Sequence, residues 1–330
     1  MSRAPRCRRS SGSCASIPIP GPGPVPDTLS RRLADLEGAE AALVLASGMA
    51  ATTCSILALL RPGDHLLASS RIRQSTRLLL QQELPALGVA LSFIDPRDTR
   101  GWRRGLERTT RVLLMETPSM EDAQPVDCKP PRMLARELGI ALLVDSTAAS
   151  PVLFRPLEHG ADVVIHDAAF LLDGAGGNAV GVVCGSEGVI EEVRAKMLTW
   201  GAVPHPAALA QLDRELDTLE VRVLRQSATT STVAGWATTQ AAVSRVDVPA
   251  GADPDGHQAG STTMVLTLDS VARATRCLDV LIGREATPTS AWRGTHATYA
   301  VRAEEASAIR LHIGLESPAL LTERLAEALA

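Results

Sequence analysis

An α/β protein with a mainly parallel sheet, followed by a smaller α+β domain, is predicted by three features of this 330-residue chain. Short continuous apolar runs recur from Ala41 to Val183. Each is followed by a helical or turn segment, and beyond Trp200 the alternation gives way to a long helical stretch with few strands. Continuous apolar runs suit strands buried on both faces, the condition of a parallel sheet covered by helices.

Residues 1–27 are expected to form a flexible arm. Arg3, Arg6, Arg8 and Arg9 lead into Pro18, Pro20, Pro22, Pro24 and Pro26 without the apolar stretch of a signal peptide. The large domain is expected over 28–203. A helix from Ser30 to Glu37 places Leu33 and Leu36 on one side, Ala41 to Leu45 is a strand, and Ser47-Gly48-Met49 opens a helix reaching Leu60. The turn Arg61-Pro62-Gly63-Asp64 precedes the strand His65 to Ala68, and a helix from Thr76 to Leu87 precedes the strand Ala90 to Ile94. Arg111 to Met115, Ile140 to Val144, Val163 to His166 and Ala179 to Val183 complete the strands. The second domain, 204–330, should hold a long helical stretch from Ala207 to Thr239, a polar link from Pro249 to Gly260, a strand Thr263 to Leu268, and a helix Val271 to Ile282. A last strand, Ile309 to Ile313, and a terminal helix end it.

Composition narrows the function classes. A net charge of −4 with 2% aromatic residues offers neither a basic field nor stacking platforms for nucleic acid. No apolar run approaches the ~20 residues of a membrane span. The six cysteines lack metal spacing and read as reduced thiols, so neither a metal site nor a disulfide framework is expected, and a cytoplasmic setting fits.

Several ordered segments carry a resemblance. Leu33-Ala34-Asp35-Leu36-Glu37-Gly38-Ala39-Glu40, Ala46-Ser47-Gly48-Met49-Ala50-Ala51 and Leu60-Arg61-Pro62-Gly63-Asp64-His65 are followed by Glu116-Thr117-Pro118-Ser119 and Val144-Asp145-Ser146-Thr147. Arg155 to Asp162, Val180 to Val183 and Arg310 to Glu316 come after them. Together these resemble the cystathionine γ-synthase and methionine γ-lyase family of fold-type I enzymes that use pyridoxal phosphate (PLP). The resemblance covers roughly 28–330, and ordered motifs are more specific than any single one.

The resemblance implies a role for each matched residue. Ser47, Gly48 and Met49 fall on the loop whose backbone N–H groups meet the cofactor phosphate at a helix N-terminus. Asp145 falls on the carboxylate that pairs with the pyridinium nitrogen, with Thr147 beside it, and Arg310 on the arginine that grips a substrate carboxylate. The lysine that forms the aldimine falls on Phe170, which has no amine. The stacking tyrosine falls on Arg73, the asparagine after Glu-Thr-Pro-Ser on Met120, and two phosphate-binding hydroxyl residues on Asp167 and Ala169. The tyrosine and arginine lent by a neighbouring subunit fall near Pro18 and Pro20.

These replacements imply a vestigial cofactor site with no catalytic residues. Phe170 and Met120 are expected to fill the ring volume, and Arg73 to turn inward toward Asp145 or Asp167, because a buried carboxylate without a partner is costly. On this reading no cofactor is expected, PLP binding being weak or absent. The function that follows is a non-catalytic regulatory or assembly subunit, in a homo-oligomer or beside an active homologue. Two alternatives stay open. One is a PLP-independent enzyme using Arg310 with Asp145, Asp167 or His166 on a carboxylate-bearing substrate. The other is PLP-dependent C–S lyase or γ-synthase chemistry with a displaced lysine, for which the chain offers only Lys129 and Lys196.

Overall fold

The computed structural model describes residues 27–120, 126–174, 177, 179–249, 251–252, 258–282, 297–303 and 305–330. Nearly all of the arm expected over 1–27, with Pro18 and Pro20, lies outside them. The first half alternates helix and strand: α1 (Asp27–Glu37), β1 (Ala41–Leu45), α2 (Gly48–Leu59), β2 (His65–Ser69), α3 (Gln74–Leu78), β3 (Ala90–Ile94), α4 (Gly101–Arg104), β4 (Thr110–Glu116), α5 (Lys129–Leu138), β5 (Ala141–Asp145), α6 (Ser150–Leu153), β6 (Val163–Asp167) and β7 (Gly181–Gly185). Helices α7 (Glu187–Thr199), α8 (Pro206–Glu215) and α9 (Leu219–Ala237) follow. The rest comprises β8 (Val243–Asp247), the short pair β9 (Gly251–Ala252) and β10 (Gln258–Ala259), β11 (Thr263–Leu268), α10 (Val271–Ile282), β12 (Tyr299–Arg302), β13 (Ala308–His312) and α11 (Pro318–Leu329).

Seven strands form one sheet in the order β1-β7-β6-β5-β4-β2-β3. The pairs from β6 through β3 are parallel, while β7 runs antiparallel to both β6 and β1. Leu43, Leu66, Leu113, Leu142 and Val164 are completely buried, as strands covered on both faces require. Each such leucine contributes about 1.5–3 kcal/mol through burial. A separate antiparallel sheet, β12-β13-β11-β8, is covered by α9, α10 and α11, whose Val233, Cys277 and Leu325 meet Leu266 and Ile309 in a second core.

Two expected helices differ. The segment from Thr76 to Leu87 is helical only in pieces: α3 passes into a π turn at Leu79–Glu83 and a tight 3₁₀ turn at Pro85–Leu87. Pro85 has no N–H to donate and its ring crowds the carbonyl four residues back, so the α-helical ladder cannot cross it. The long stretch from Ala207 to Thr239 is two helices separated by a 3₁₀ turn at Leu216–Thr218. Among the described residues no helix is long and apolar enough to cross a membrane.

Parallel registry gathers the polar ends of three strands. Glu116 at the end of β4 stands opposite Asp145 at the end of β5, Asp145 stands opposite Ile165 of β6, and Asp167 closes β6 two residues later. Carboxyl ends of parallel strands are where crevices in such sheets form.

Candidate active site

The N-terminus of α2 is a built feature. Ser47 caps it, its Oγ accepting a hydrogen bond from the Ala50 N–H at 3.0 Å. Gly48 begins the helix against Asp167 so closely that a Cβ there would lie 2.5 Å from the Asp167 carboxyl carbon. Gly181 of β7 is equally constrained, since a Cβ would lie 2.3 Å from the Ser47 carbonyl oxygen. Met49 is half-buried in the first turn of α2.

Asp145 is held from two sides. Its Oδ1 accepts from the Thr147 N–H at 3.0 Å and the Thr147 hydroxyl at 2.5 Å, and its Oδ2 accepts from Arg73 Nη2 at 2.7 Å. Thr147 in turn accepts from the Asp167 N–H at 2.8 Å. The second guanidinium nitrogen, Arg73 Nη1, donates to Asp167 Oδ2 at 3.2 Å. Arg73 therefore bridges both carboxylates that the unpaired-charge argument names for it, at 8% exposure. Burial alone would lower its pKa, but the attraction of Asp145, Glu116 and Asp167 outweighs this and holds it charged.

Sequence reasoning missed a third carboxyl group. Glu116 accepts the backbone N–H of Arg73 at 2.9 Å and that of Met120 at 2.5 Å. Burial, followed by repulsion from Asp145, pushes its carboxyl up to about 8. Asp167 is raised by burial in the same sense. The Glu116-Thr117-Pro118-Ser119 motif was visible as a pattern, but only the β4–β5 register reveals that its glutamate faces Asp145.

Other predicted residues are dispersed. Phe170 follows β6 in a turn and is buried edge-on to His312, ring centroids 4.8 Å apart. Its turn is clamped from α9 by Arg222, whose guanidinium donates to the carbonyls of Leu171 and Leu172. His166 does not join Asp145 and Asp167 in an acid–base set, which corrects that expectation. Alternation along β6 sends it to the opposite face, where Nε2 meets Glu37 of α1 at 2.8 Å. Met120 and Arg310 of β13 do line a cavity of about 870 Å³ together with Arg73 and Arg77. Lys129 is exposed at the start of α5 and Lys196 sits on α7, and neither lines that cavity.

Comparison with known proteins bears on the site. A family described as "Cys/Met metabolism PLP-dependent enzyme" matches residues 22–271. The L-methionine gamma-lyase of Pseudomonas putida is 36% identical over 230 residues, 68% of this chain and 57% of the relative. The O-succinylhomoserine sulfhydrylase of Pseudomonas aeruginosa is 33% identical over 223 residues, 68% of this chain and 55% of the relative. The chain thus spans a little over half the length of these curated relatives. A solved structure from Campylobacter jejuni, assigned as an O-acetylhomoserine (thiol)-lyase, superposes with a TM-score of 0.83 at 22% identity. It covers 92% of this chain and 85% of that one, and it contains a pyridoxyl-lysine monophosphate.

The expectation that no cofactor belongs here is overturned by these matches: the family is PLP-dependent, and the Campylobacter neighbour holds the group on a lysine. Within this chain the residues fit that group in part. The Ser47–Gly48 helix start offers N–H groups to a phosphate, whereas Asp145, the carboxylate matched to a ring nitrogen, is held at Oδ2 by Arg73 and the Phe170 turn offers no amine for a lysine linkage. When bound, PLP serves as an electron sink for carbanions. By the span of the matched segment, the identity to curated relatives and the agreement in fold, the chain belongs to the Cys/Met metabolism PLP-dependent enzyme family.

Proposed function

We propose that this chain is a non-catalytic member of the family, a regulatory or assembly subunit that runs no Schiff-base chemistry of its own and works in an oligomer with itself or with an active homologue. One observation carries the reading: the guanidinium of Arg73 spans Asp145 and Asp167, so the carboxylate that would serve a cofactor nitrogen is already engaged by a permanent cation. Phe170, buried against His312, supports it from the other side, because a phenyl ring can neither form an aldimine nor move a proton.

The test has two arms. Purified protein is incubated with PLP, reduced with borohydride and peptide-mapped, and its sedimentation is followed at micromolar concentration with a native pull-down alongside. The expected result is no pyridoxyl-lysine peptide, no C–S lyase or sulfhydrylase turnover, and a dimer or larger assembly. A labelled Lys129 or Lys196 peptide accompanied by turnover would overturn the non-catalytic reading. A monomer that recovers no homologue would overturn the subunit role.

A further inference from the structure

Helix α9 leaves part of its first turns uncovered. Its inner side carries Leu219, Arg222 and Val223, while Val221 is 73% exposed, the most of any large apolar side chain among the described residues, and Leu224 is half exposed. Glu220 and Val221 precede Leu224 by four and three residues, so the three share one face of the helix. Asp217 stands one turn earlier with its side chain 70% exposed. Across residues 213–220 four acids, Asp213, Glu215, Asp217 and Glu220, are met by Arg214 and by Arg32 of α1, which reaches Asp213 and Asp217. Glu220 is exposed and has no ion pair among the described residues, and the exposed Arg225 bounds the patch on its C-terminal side.

The chain supplies a complement that starts beside this face. Leu29 and Leu33 of α1 pack in one core with Leu212, Leu216, Leu219 and Val223, and Arg32 Nη2 lies 2.5 Å from Asp217 Oδ1, so α1 runs against the approach to α9. Residues 1–26, immediately before α1, hold four arginines, Arg3, Arg6, Arg8 and Arg9, and no acidic residue, and they include the apolar run Ile17-Pro18-Ile19-Pro20. Alternating prolines favour an extended course of about 3.1 Å per residue, which gives Ile17 and Ile19 a reach of roughly 25 to 31 Å from Asp27. Five residues of helix separate Asp27 from Arg32 and one turn separates Asp217 from Val221, about 7.5 and 6 Å of rise, so the face lies inside that reach.

We infer that residues 1–26 dock on this face of their own chain, Ile17 and Ile19 covering Val221 and Leu224 and the arginines facing Asp217 and Glu220. Removal of apolar surface from water drives the first contact, and opposite charge sets the register of the second. The same face of a second copy is the poorer occupant, because it would bring Asp217 and Glu220 against their own kind, whereas the arm brings only positive charge. An arm held here is withheld from any neighbouring molecule. The assignment stands whether or not the chain is an enzyme.

Crosslinking within the full chain tests it, with Cys7 and Cys14 of the arm as native handles. The control site is Leu198 on α7, exposed like Val221 but on the other side of the large sheet: α7 packs through Met197 with Ile165, and α9 through Val223 with Val164, on opposite faces of β6. A short bismaleimide, followed by peptide mapping, should join Cys7 or Cys14 to Val221→Cys about tenfold more often than to Leu198→Cys, because docking raises the local concentration of the arm at one site only. As a second measurement, trypsin should cleave after Arg6, Arg8 and Arg9 about fivefold faster in Val221→Gln/Leu224→Gln of unchanged melting temperature than in wild type, and added salt should speed the wild type toward the variant. Equal crosslinking at the two sites, equal cleavage of variant and wild type, or products that join two chains in place of one would overturn the proposal.

Discussion

Arg73 Nη2 stands 2.7 Å from Asp145 Oδ2, while the backbone N–H of the same arginine is held by Glu116 at 2.9 Å. One residue thus fastens the ends of three neighbouring strands, β4, β5 and β6, through their terminal carboxyl groups.

Removing that cation should be severe. Arg73→Ala leaves Asp145 buried without its charged partner, a loss of about 3–5 kcal/mol. Urea unfolding of the variant measures it. A change under ~1 kcal/mol, the range of an exposed ion pair, would contradict the geometry.

Stability should fall as pH rises through neutrality. Glu116 is raised from an ordinary 4.5 to about 8 in the fold, so between these values the native state holds a proton that the unfolded state releases. Its contribution is complete below the unfolded value and is lost as pH climbs toward 8; Asp167, also raised by burial, acts in the same direction. Denaturation midpoints measured from pH 5 to 8.5 should decline, and Glu116→Gln should flatten the decline. A midpoint that rises across this window in wild type would refute the assignment.

At Gly48 two effects oppose each other. Alanine is better than glycine in a helix by about 1 kcal/mol, but its methyl would sit 2.5 Å from the Asp167 carboxyl carbon. Overpacking should win, and Gly48→Ala should lose about 1–3 kcal/mol. In an Asp167→Gly background, which removes both the carboxyl group and the Cβ that crowd this position, the same change should become neutral or stabilising. Additive effects in that double-mutant cycle would show that the two residues do not press on one another.

The Glu37–His166 contact, both partners almost fully buried, offers a contrast between breaking and replacing. His166→Leu alone should cost several kcal/mol by stranding the Glu37 carboxyl in the core, on the order of 3–5 kcal/mol. Glu37→Leu with His166→Leu should recover much of that. A double variant as unstable as the single one would show the loss to be one of shape rather than charge.

The strands of the large sheet were legible because each is a continuous apolar run; β1 and β3 have the expected bounds, β2 and β6 differ by one residue at one end, β4 and β5 by one at each end, and β7 by two at each end. The edge strands β8 and β12 were not. Val243-Ser244-Arg245-Val246-Asp247 and Tyr299-Ala300-Val301-Arg302 carry charges and half-exposed positions, as edges do, and leave little apolar signal. The antiparallel direction of β7 was equally hidden, since a buried five-residue run reads the same either way. At the site, Arg73 and Asp145 could be paired on paper because a buried acid demands a partner. Glu116 could not, because Asp145 lies 29 residues further along the sequence and comes opposite it only through the β4–β5 register.

The reversed course of β7 has a consequence for how this chain could change. Because β7 returns beside β6, the thirteen residues from Ala168 to Val180 form a return connection whose ends are pinned by the Asp167–Gly181 pairing. The β6–β7 ladder is made of backbone bonds, while Phe170, Leu171 and Leu172 of the turn pack in the same core as Val164 and Val182. An exchange at position 170 therefore alters the chemistry available at the sheet's end while leaving the order of pairing untouched. Strand order rests on backbone pairing and reactivity on the side chain at one position of the connection, so a lineage can revise the second while inheriting the first.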